Sequence, residues 1–352
     1  MNEINYPIFE RKNANIYMKN LINTFLTYFQ EMSYIKHEPV KISSGIDKSV
    51  RFIGSHISVL KPYFLNDKIP SEGYVMSQPC IRTRNLKKYE EDENFYPNWG
   101  SYFPSLGILV KPENLEIAIQ QTYDFLQKKL NINPMDLKIL INSQDNDLMN
   151  IAKKTFEYKM LEIDTMPLNY YRHKLGIDGV WGRNFNLALR NFGKDTFSDI
   201  GNVIILENKD KQLGIEIALG SSTILKEIYG LNHVLDCHPI IGLEEYIKDS
   251  KQRIKLEDTI VTSMALYNDD LIPSNKTTPS RLMKKYLEVM MNTISKTKIS
   301  PKTIRDILYN YEILEYGKSN KYTEQILDFI YKEHSNENNK TIQNMLINFK
   351  SR

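Results

Sequence analysis

From Leu213 the chain reads LGIEIALGSSTILKEIYG, ending at Gly230. Apolar residues alternate up to Gly220, where Ser221, Ser222 and Thr223 lead into a helix-like run. A strand that breaks at glycine and starts a helix presents backbone N–H groups, a common seat for a phosphate. No cation stands in the turn itself. Glu216, in the middle of the strand, reads on its own as a half-exposed, solvated carboxylate. HVLDCH (His233–His238) offers His, Cys and His, but the zinc-type spacing is poor and no second half follows, so a packed helix–loop segment is the better reading. Arg281, Lys284 and Lys285 share one run, with Lys302 and Arg305 further on. Such cations serve RNA contact by shape and backbone, or simply line a solvated helix face. There is no P-loop, no dinucleotide GxGxxG and no GxSxG.

The elements that must hold these residues follow from periodicity. Residues 15–35 place Ile16, Leu21, Phe25, Tyr28, Phe29 and Met32 at helical spacing. Val50–Ile53 and Val75–Arg82 pattern as strands, and the charged stretch 83–99 as an exposed loop. Ser101–Val110 returns to a strand, and Pro112 opens a helix through Leu130. Leu137–Ile141 reads as a short strand. Ile200–Glu207 and Leu213–Leu219 read as an antiparallel pair across the turn NKDKQ. From about residue 245 helical patterns dominate: 257–267, 279–294, 301–316, 322–333 and 341–349. Strands followed by helices favour an α+β class, with a sheet domain over residues 1–245 and a helical domain over 246–352.

Composition narrows the function classes. Of 352 residues, 41% are hydrophobic and 25% charged, ordinary for a globular protein. No apolar run reaches the roughly 18 residues of a membrane span, and MNEINYPIFERKN has no signal-peptide core. Two cysteines make no disulfide framework, so the cytoplasm is the expected compartment. A net charge of +3 does not announce a nucleic-acid binder.

Four blocks in order resemble alanyl-tRNA synthetase, a class II enzyme. RFIGSHISVLKPYFL (Arg51–Leu65) is similar to that family's LFTNAGMNQFKPYFLG. SQPCIRTRN and WGSYFPSLGILV are similar to the two strands of its ATP-binding hairpin. SDIGNVIILEN (Ser198–Asn208) resembles EIWNIVFMQFN, and DLIPSNKTTPSRLMKKYLEVM (Asp270–Met290) resembles the start of its tRNA-recognition helices. The resemblance covers roughly residues 16–290. It implies a mainly antiparallel class II catalytic sheet flanked by helices, then a helical tRNA-binding region. Neither an editing domain nor the family's C-terminal domain is expected.

The resemblance also implies roles. Arg82 stands where the family supplies an arginine to the α-phosphate of ATP; a guanidinium is always charged and binds oxygens in a fork. The alternative is a surface salt bridge. Arg84 and Asn85 enter the adjoining ATP loop, and Phe103 matches an aromatic that stacks on adenine, or else packs in the core. Trp181 resembles the tryptophan that walls the amino-acid pocket. Asn202 and Ile204 match an asparagine and a valine of that pocket. Glu216 falls at the aspartate that pairs with the substrate ammonium, one methylene longer. Asp199 and Glu207 lie near positions that hold magnesium. Arg281, Lys284 and Lys285 lie where the family touches the tRNA acceptor stem.

Two departures stand out. The family's GLER arginine, which clamps the γ-phosphate, becomes Thr223 after Gly220, and its GPCGPCTE segment becomes RNFNLALRNFGKDTF, from which Arg183 or Arg190 could compensate. Losing such a charge-assisted contact costs several kcal/mol of transition-state stabilisation. Two functions are therefore implied. One is a ligase that activates an amino acid with ATP and magnesium and passes it to tRNA or another acceptor with altered specificity. The other is a catalytically degenerate paralogue that binds tRNA, aminoacyl-tRNA or a small molecule.

Overall fold

The computed structural model of the chain describes residues 8–297, 299–317 and 321–336. Among these, the strands are β1 (Ile35–Lys36), β2 (Tyr74–Ile81), β3 (Tyr102–Val110), β4 (Leu137–Asn142), β5 (Leu161–Asp164), β6 (Arg172–Lys174), β7 (Val180–Arg190), β8 (Phe197–Asn208) and β9 (Gln212–Gly220). The helices are α1 (Ala14–Glu31), α2 (Ile57–Leu65), α3 (Arg84–Glu91), α4 (Leu115–Asp124), α5 (Asn146–Thr155), α6 (Ser221–Ile228), α7 (Leu243–Tyr246), α8 (Ser250–Asn268), α9 (Thr278–Thr297), α10 (Pro301–Tyr316) and α11 (Lys321–Asn336). This is an α+β fold: one mixed sheet flanked by helices, with a helical C-terminal region.

The strand order is β1-β2-β3-β9-β8-β7-β4-β5, with β6 also on β7. The central pairings β3–β9, β9–β8, β8–β7 and β7–β4 are antiparallel; β1–β2 and β4–β5 are parallel. The β8–β9 turn closes because Asn208 Oδ1 accepts the N–H groups of Asp210 and Lys211 at 2.9 and 2.8 Å, the side chain standing in for a turn carbonyl.

Two compact units divide the chain. The first holds Met18–Cys80 and Phe103–Asn232, and with them nearly the whole sheet. Its odd-numbered face is covered by α4, whose Ile119, Thr122 and Leu126 meet Leu137, Leu187 and Val203. The opposite face, carrying the even-numbered residues of β7–β9 and the odd-numbered residues of β3, is covered over part of its area by α2, whose Ile57, Leu60 and Phe64 pack with Leu109, Ile204 and Leu206. Lys61 on α2 is buried. Its ammonium donates to Asp47 Oδ2 at 2.6 Å, Ser49 Oγ at 2.9 Å and the Leu175 carbonyl at 2.5 Å. The KPYFL match is thus built into the packing of α2.

The second unit holds Phe9–Tyr17, Ile81–Tyr102 and the described residues from His233 onward. The stretch 83–99, expected as an exposed loop, contains α3. Leu86 and Tyr89, three apart on one helical face, pack with Tyr286 and Val289 of α9. Asp258, fully buried on α8, explains the placement. It accepts hydrogen bonds from Ser101 N (2.6 Å), Ser101 Oγ (2.7 Å), Tyr89 Oη (2.8 Å) and Asn85 Nδ2 (3.2 Å). The unit boundary falls at Asn232/His233, earlier than the composition change at 245.

Two other expectations differ. Val50–Ile53 is not a strand; it lies in irregular chain beside the Asp47–Lys61 pair, with Phe52 and Ile53 buried. The helix expected over 341–349 lies outside the described residues. Among the described residues no helix is long and apolar enough to cross a membrane.

A buried acceptor serving four donors has a measurable signature. Asp258→Leu is expected to cost at least about 4 kcal/mol in urea unfolding, and Tyr89→Phe about 1 kcal/mol. Equal, near-zero losses for both would overturn the hub role of Asp258.

Candidate functional site

The register of the central strands lays out the candidate site. One rung across the sheet runs Leu109–Glu216–Ile204–Asn184, and the next runs Gly107–Ala218–Asn202–Asn186. Side chains two apart on a strand share a face, so both rungs lie on the even-numbered side of β7, β8 and β9. The first rung is deep: Glu216, Ile204 and Asn184 are 1%, 5% and 2% exposed. Ala218, Asn202 and Asn186 of the second are half-buried. The face therefore opens at the end where β9 enters α6. Of the sequence-predicted pocket residues, Glu216, Asn202 and Ile204 are brought together here. Burial removes the solvated reading of Glu216.

His56, immediately before α2, is missing from the sequence reading. Its ring is fully buried, with Nε2 3.4 Å from Glu216 Oε1 and Nδ1 3.1 Å from Ser105 Oγ. A carboxylate only accepts, so a proton on Nε2 faces Glu216 and Nδ1 accepts the Ser105 hydroxyl. Burial pulls the His56 pKa down to about 3, and the imidazole is neutral. The ring sits where a side chain on Gly107 would be: a Cβ there would lie 2.0 Å from His56 Nε2.

Trp181 is not in this pocket. It pairs with Glu207 on the odd-numbered face of β7, and its indole N–H donates to Glu207 Oε1 at 2.8 Å. Odd and even positions of an unbulged strand point to opposite sides, and the β7 irregularity lies beyond, at Leu187/Ala188. Arg183 shares the odd face. Its guanidinium serves Glu207 (2.9 Å), Asp145 (2.5 Å) and Asp147 (2.6 Å). Burial, with Asp147 close by, raises the Asp145 carboxyl to about 6, while the Arg183 hydrogen bonds hold Asp147 well below its ordinary value. Arg190 is engaged by Asp136 at 2.9 Å and by Asp195. Neither arginine stands in for a cation at Thr223.

Asp199 and Glu207 are eight residues apart on β8, about 26 Å at strand rise. They do not share a magnesium ion. Among the described residues no three His, Cys, Asp or Glu side chains gather as metal ligands. At the β9–α6 turn Gly220 is extended (φ −88°), Ser221 Oγ donates to the Pro104 carbonyl at 2.7 Å, and Thr223 is half-buried. The first cation of α6, Lys226, pairs with Glu227 at 2.5 Å. Phe103 is half-buried against the apolar cluster of α2, the packing arrangement.

In the second unit Arg82 is exposed, its backbone N–H donating to the Ser101 carbonyl at 2.9 Å, and Arg84 is exposed at the start of α3. Asn85 is buried, and its amide donates to Asp258 and to the Trp99 carbonyl (2.7 Å). That commitment takes it out of an ATP loop. On α9, Lys285 pairs with Glu90 at 2.7 Å, Lys284 with Glu288 at 3.7 Å, and Arg281 donates to Thr278 Oγ1 at 3.2 Å. In HVLDCH, His233 caps a short turn, accepting from the Leu235 N–H, and its Nε2 meets the Pro97 carbonyl. It is a packed segment.

No protein-family model matches the chain. The chain is similar to alanine–tRNA ligases. It is 23% identical over 298 residues to that of Thermoanaerobacter sp., covering 74% of this chain and 33% of that one. It is 24% identical over 297 residues to alanine–tRNA ligase 1 of Lachnoclostridium phytofermentans, with the same coverage of 74% and 33%. The match to the Mesomycoplasma hyopneumoniae ligase is 29% over 126 residues, 35% of this chain and 14% of that one. The chain spans about a third of the length of the first of these curated relatives. Among solved structures, a threonyl-tRNA synthetase from Aeropyrum pernix aligns with 75% of this chain and 71% of its own at 11% identity and a TM-score of 0.40. Aspartyl-tRNA synthetase from Entamoeba histolytica aligns with 64% and 58% at 10% identity and a TM-score of 0.38.

Two outcomes are expected of the His56 packing. Gly107→Ala forces a methyl into the ring and should cost about 2–3 kcal/mol; the same change in a His56→Ala background should cost at least about 1 kcal/mol less. Additive losses would contradict the contact. A histidine with depressed folded pKa contributes its stability above its unfolded value of 6.5 and loses it as pH falls toward 3. Between pH 6.5 and 5 the wild type should therefore lose about 1.6 kcal/mol more in total than His56→Gln, the slope steepening toward about 1.4 kcal/mol per unit at the acid end, read from paired urea titrations. Identical slopes would mean that burial does not depress the His56 pKa.

Proposed function

We propose that the chain is an alanine–tRNA-ligase-like protein that receives the ammonium of an amino acid at Glu216, activates its carboxylate with ATP and passes the aminoacyl group to tRNA or another acceptor, with altered specificity. The observation that carries the reading is the Glu216 carboxylate, sunk at the deep end of a sheet face whose next rung is half-open and lined by Asn202. A carboxylate in that position presents a negative charge on the floor of the face, and charge-assisted hydrogen bonds to an ammonium are the strong ones. In the reaction a carboxylate oxygen bonds to the α-phosphorus and the bond to pyrophosphate breaks. Arg82, exposed and always charged, is the residue that the resemblance assigns to the α-phosphate. Asp199 and Glu207, at opposite ends of β8, do not fit one shared metal.

A second reading is favoured by a specific observation. Thr223 brings no charge to the β9–α6 turn, and Arg183, Arg190 and Lys226 are each held by carboxylates. On this reading the same face holds an amino acid or aminoacyl group without activating it.

Amino-acid-dependent ATP–pyrophosphate exchange, run across the twenty amino acids, separates the two. The ligase reading expects exchange with at least one, reduced about 10- to 100-fold in Glu216→Gln. Silence with all twenty, alongside retained Glu216-dependent amino-acid binding, selects the second reading.

A further inference from the structure

Beside Glu216 and Ile204, the deep rung ends in Asn184, which the resemblance assigns no role. Its side chain is 2% exposed, and its Oδ1 has no hydrogen-bond partner. A buried amide oxygen left without a donor costs about 1–3 kcal/mol, and native structures keep few such groups.

Which end of the amide is left over follows from its neighbours. Asp199 Oδ2 accepts from Asn186 Nδ2 at 3.3 Å. An ionised carboxylate only accepts, so the Asn186 amide is turned with its nitrogen toward Asp199 and its oxygen toward Asn184. Asn184 Nδ2 donates to that oxygen. The chain of donors runs one way, Asn184 to Asn186 to Asp199, and leaves Asn184 Oδ1 as an acceptor. Asn186 lies on the half-open rung, so the relay leads from the mouth of the face to its floor.

We propose that Asn184 Oδ1 is the side-chain specificity contact of this site, and that the ligand is an amino acid with a short side chain carrying an N–H or O–H donor, such as serine, threonine or asparagine. This rests on the reading that Glu216 holds the ammonium. Glu216 and Asn184 are two strands apart, about 10 Å at sheet spacing, with apolar Ile204 between them. An alanine methyl leaves Asn184 Oδ1 unserved, whereas a hydroxyl or amide N–H on a ligand that lies across Ile204 serves it. Sites built to hydrogen-bond a substrate group discriminate strongly against the analogue lacking it.

The test is calorimetric titration of the full chain with alanine, serine, threonine, asparagine and lysine, in wild type, Asn184→Leu and Asn184→Asp. Serine, threonine or asparagine should bind roughly tenfold or more tighter than alanine. Asn184→Leu should bring that ratio close to one, while Asn184→Asp, which keeps the acceptor, should preserve it. If alanine binds as tightly as the polar amino acids, in a manner sensitive to Glu216→Gln, the Asn184 assignment falls and the Glu216 reading stands. If no amino acid binds, both fall. A folded Asn184→Leu protein with an unchanged ratio also overturns the assignment; should that variant not fold, the wild-type panel and Asn184→Asp decide.

Discussion

A carboxylate buried in the middle of a β-sheet is the constraint around which this face is organised. Glu216 cannot reach water, so its neighbours must hold hydrogen toward it. The fold meets part of that demand with His56, a neutral ring laid over a strand position that has no side chain. Gly107 is required there for space, not for backbone conformation. The Ser105 hydroxyl, able to donate or accept, serves Nδ1 on the other side of the ring. The burial that encloses Glu216 also keeps His56 uncharged. An incoming ammonium would meet a pre-formed acceptor held by the sheet and by the ring over Gly107.

Much of the sheet was legible from pattern. β9 was legible from period-two alternation, β3, β4 and β8 from short apolar stretches bounded by turn residues, and the NKDKQ turn closes through Asn208 as its composition implies. The helical C-terminal region was legible from the 3.6-residue period. α3 was not, because its stripe is only Leu86 and Tyr89 in a strongly charged run, and its anchor, Asp258, lies far along the chain. Long-range polar contacts leave no local periodicity to read.

The site was legible in part, and for a reason specific to strands. Matching residues to a motif does not fix which way a strand faces; register does. Glu216, Asn202 and Ile204 share a face because they pair across β8–β9, whereas Trp181 is an odd number of residues from Asn184 and so faces Glu207 instead. Asn184 and Asn186 repeat at period two in RNFNLALR, a polar stripe on an otherwise apolar strand. That was the available signal, and only the pairing of β7 with β8 gives it meaning. His56 had no such signal, since nothing local links it to Gly107.

The ammonium of Lys61 joins α2 to the Leu175 carbonyl, 114 residues further along the chain. A contact of that span forms only after a long loop has closed, and loop closure governs the rate at which non-local structure assembles. The helix that lids the apolar end of the face thus waits on the segment leading into β7. Kinetic order follows: the antiparallel hairpin β8–β9, local in sequence, can form early, and α2 seats late, sealing its buried lysine only when the strands beneath are in register.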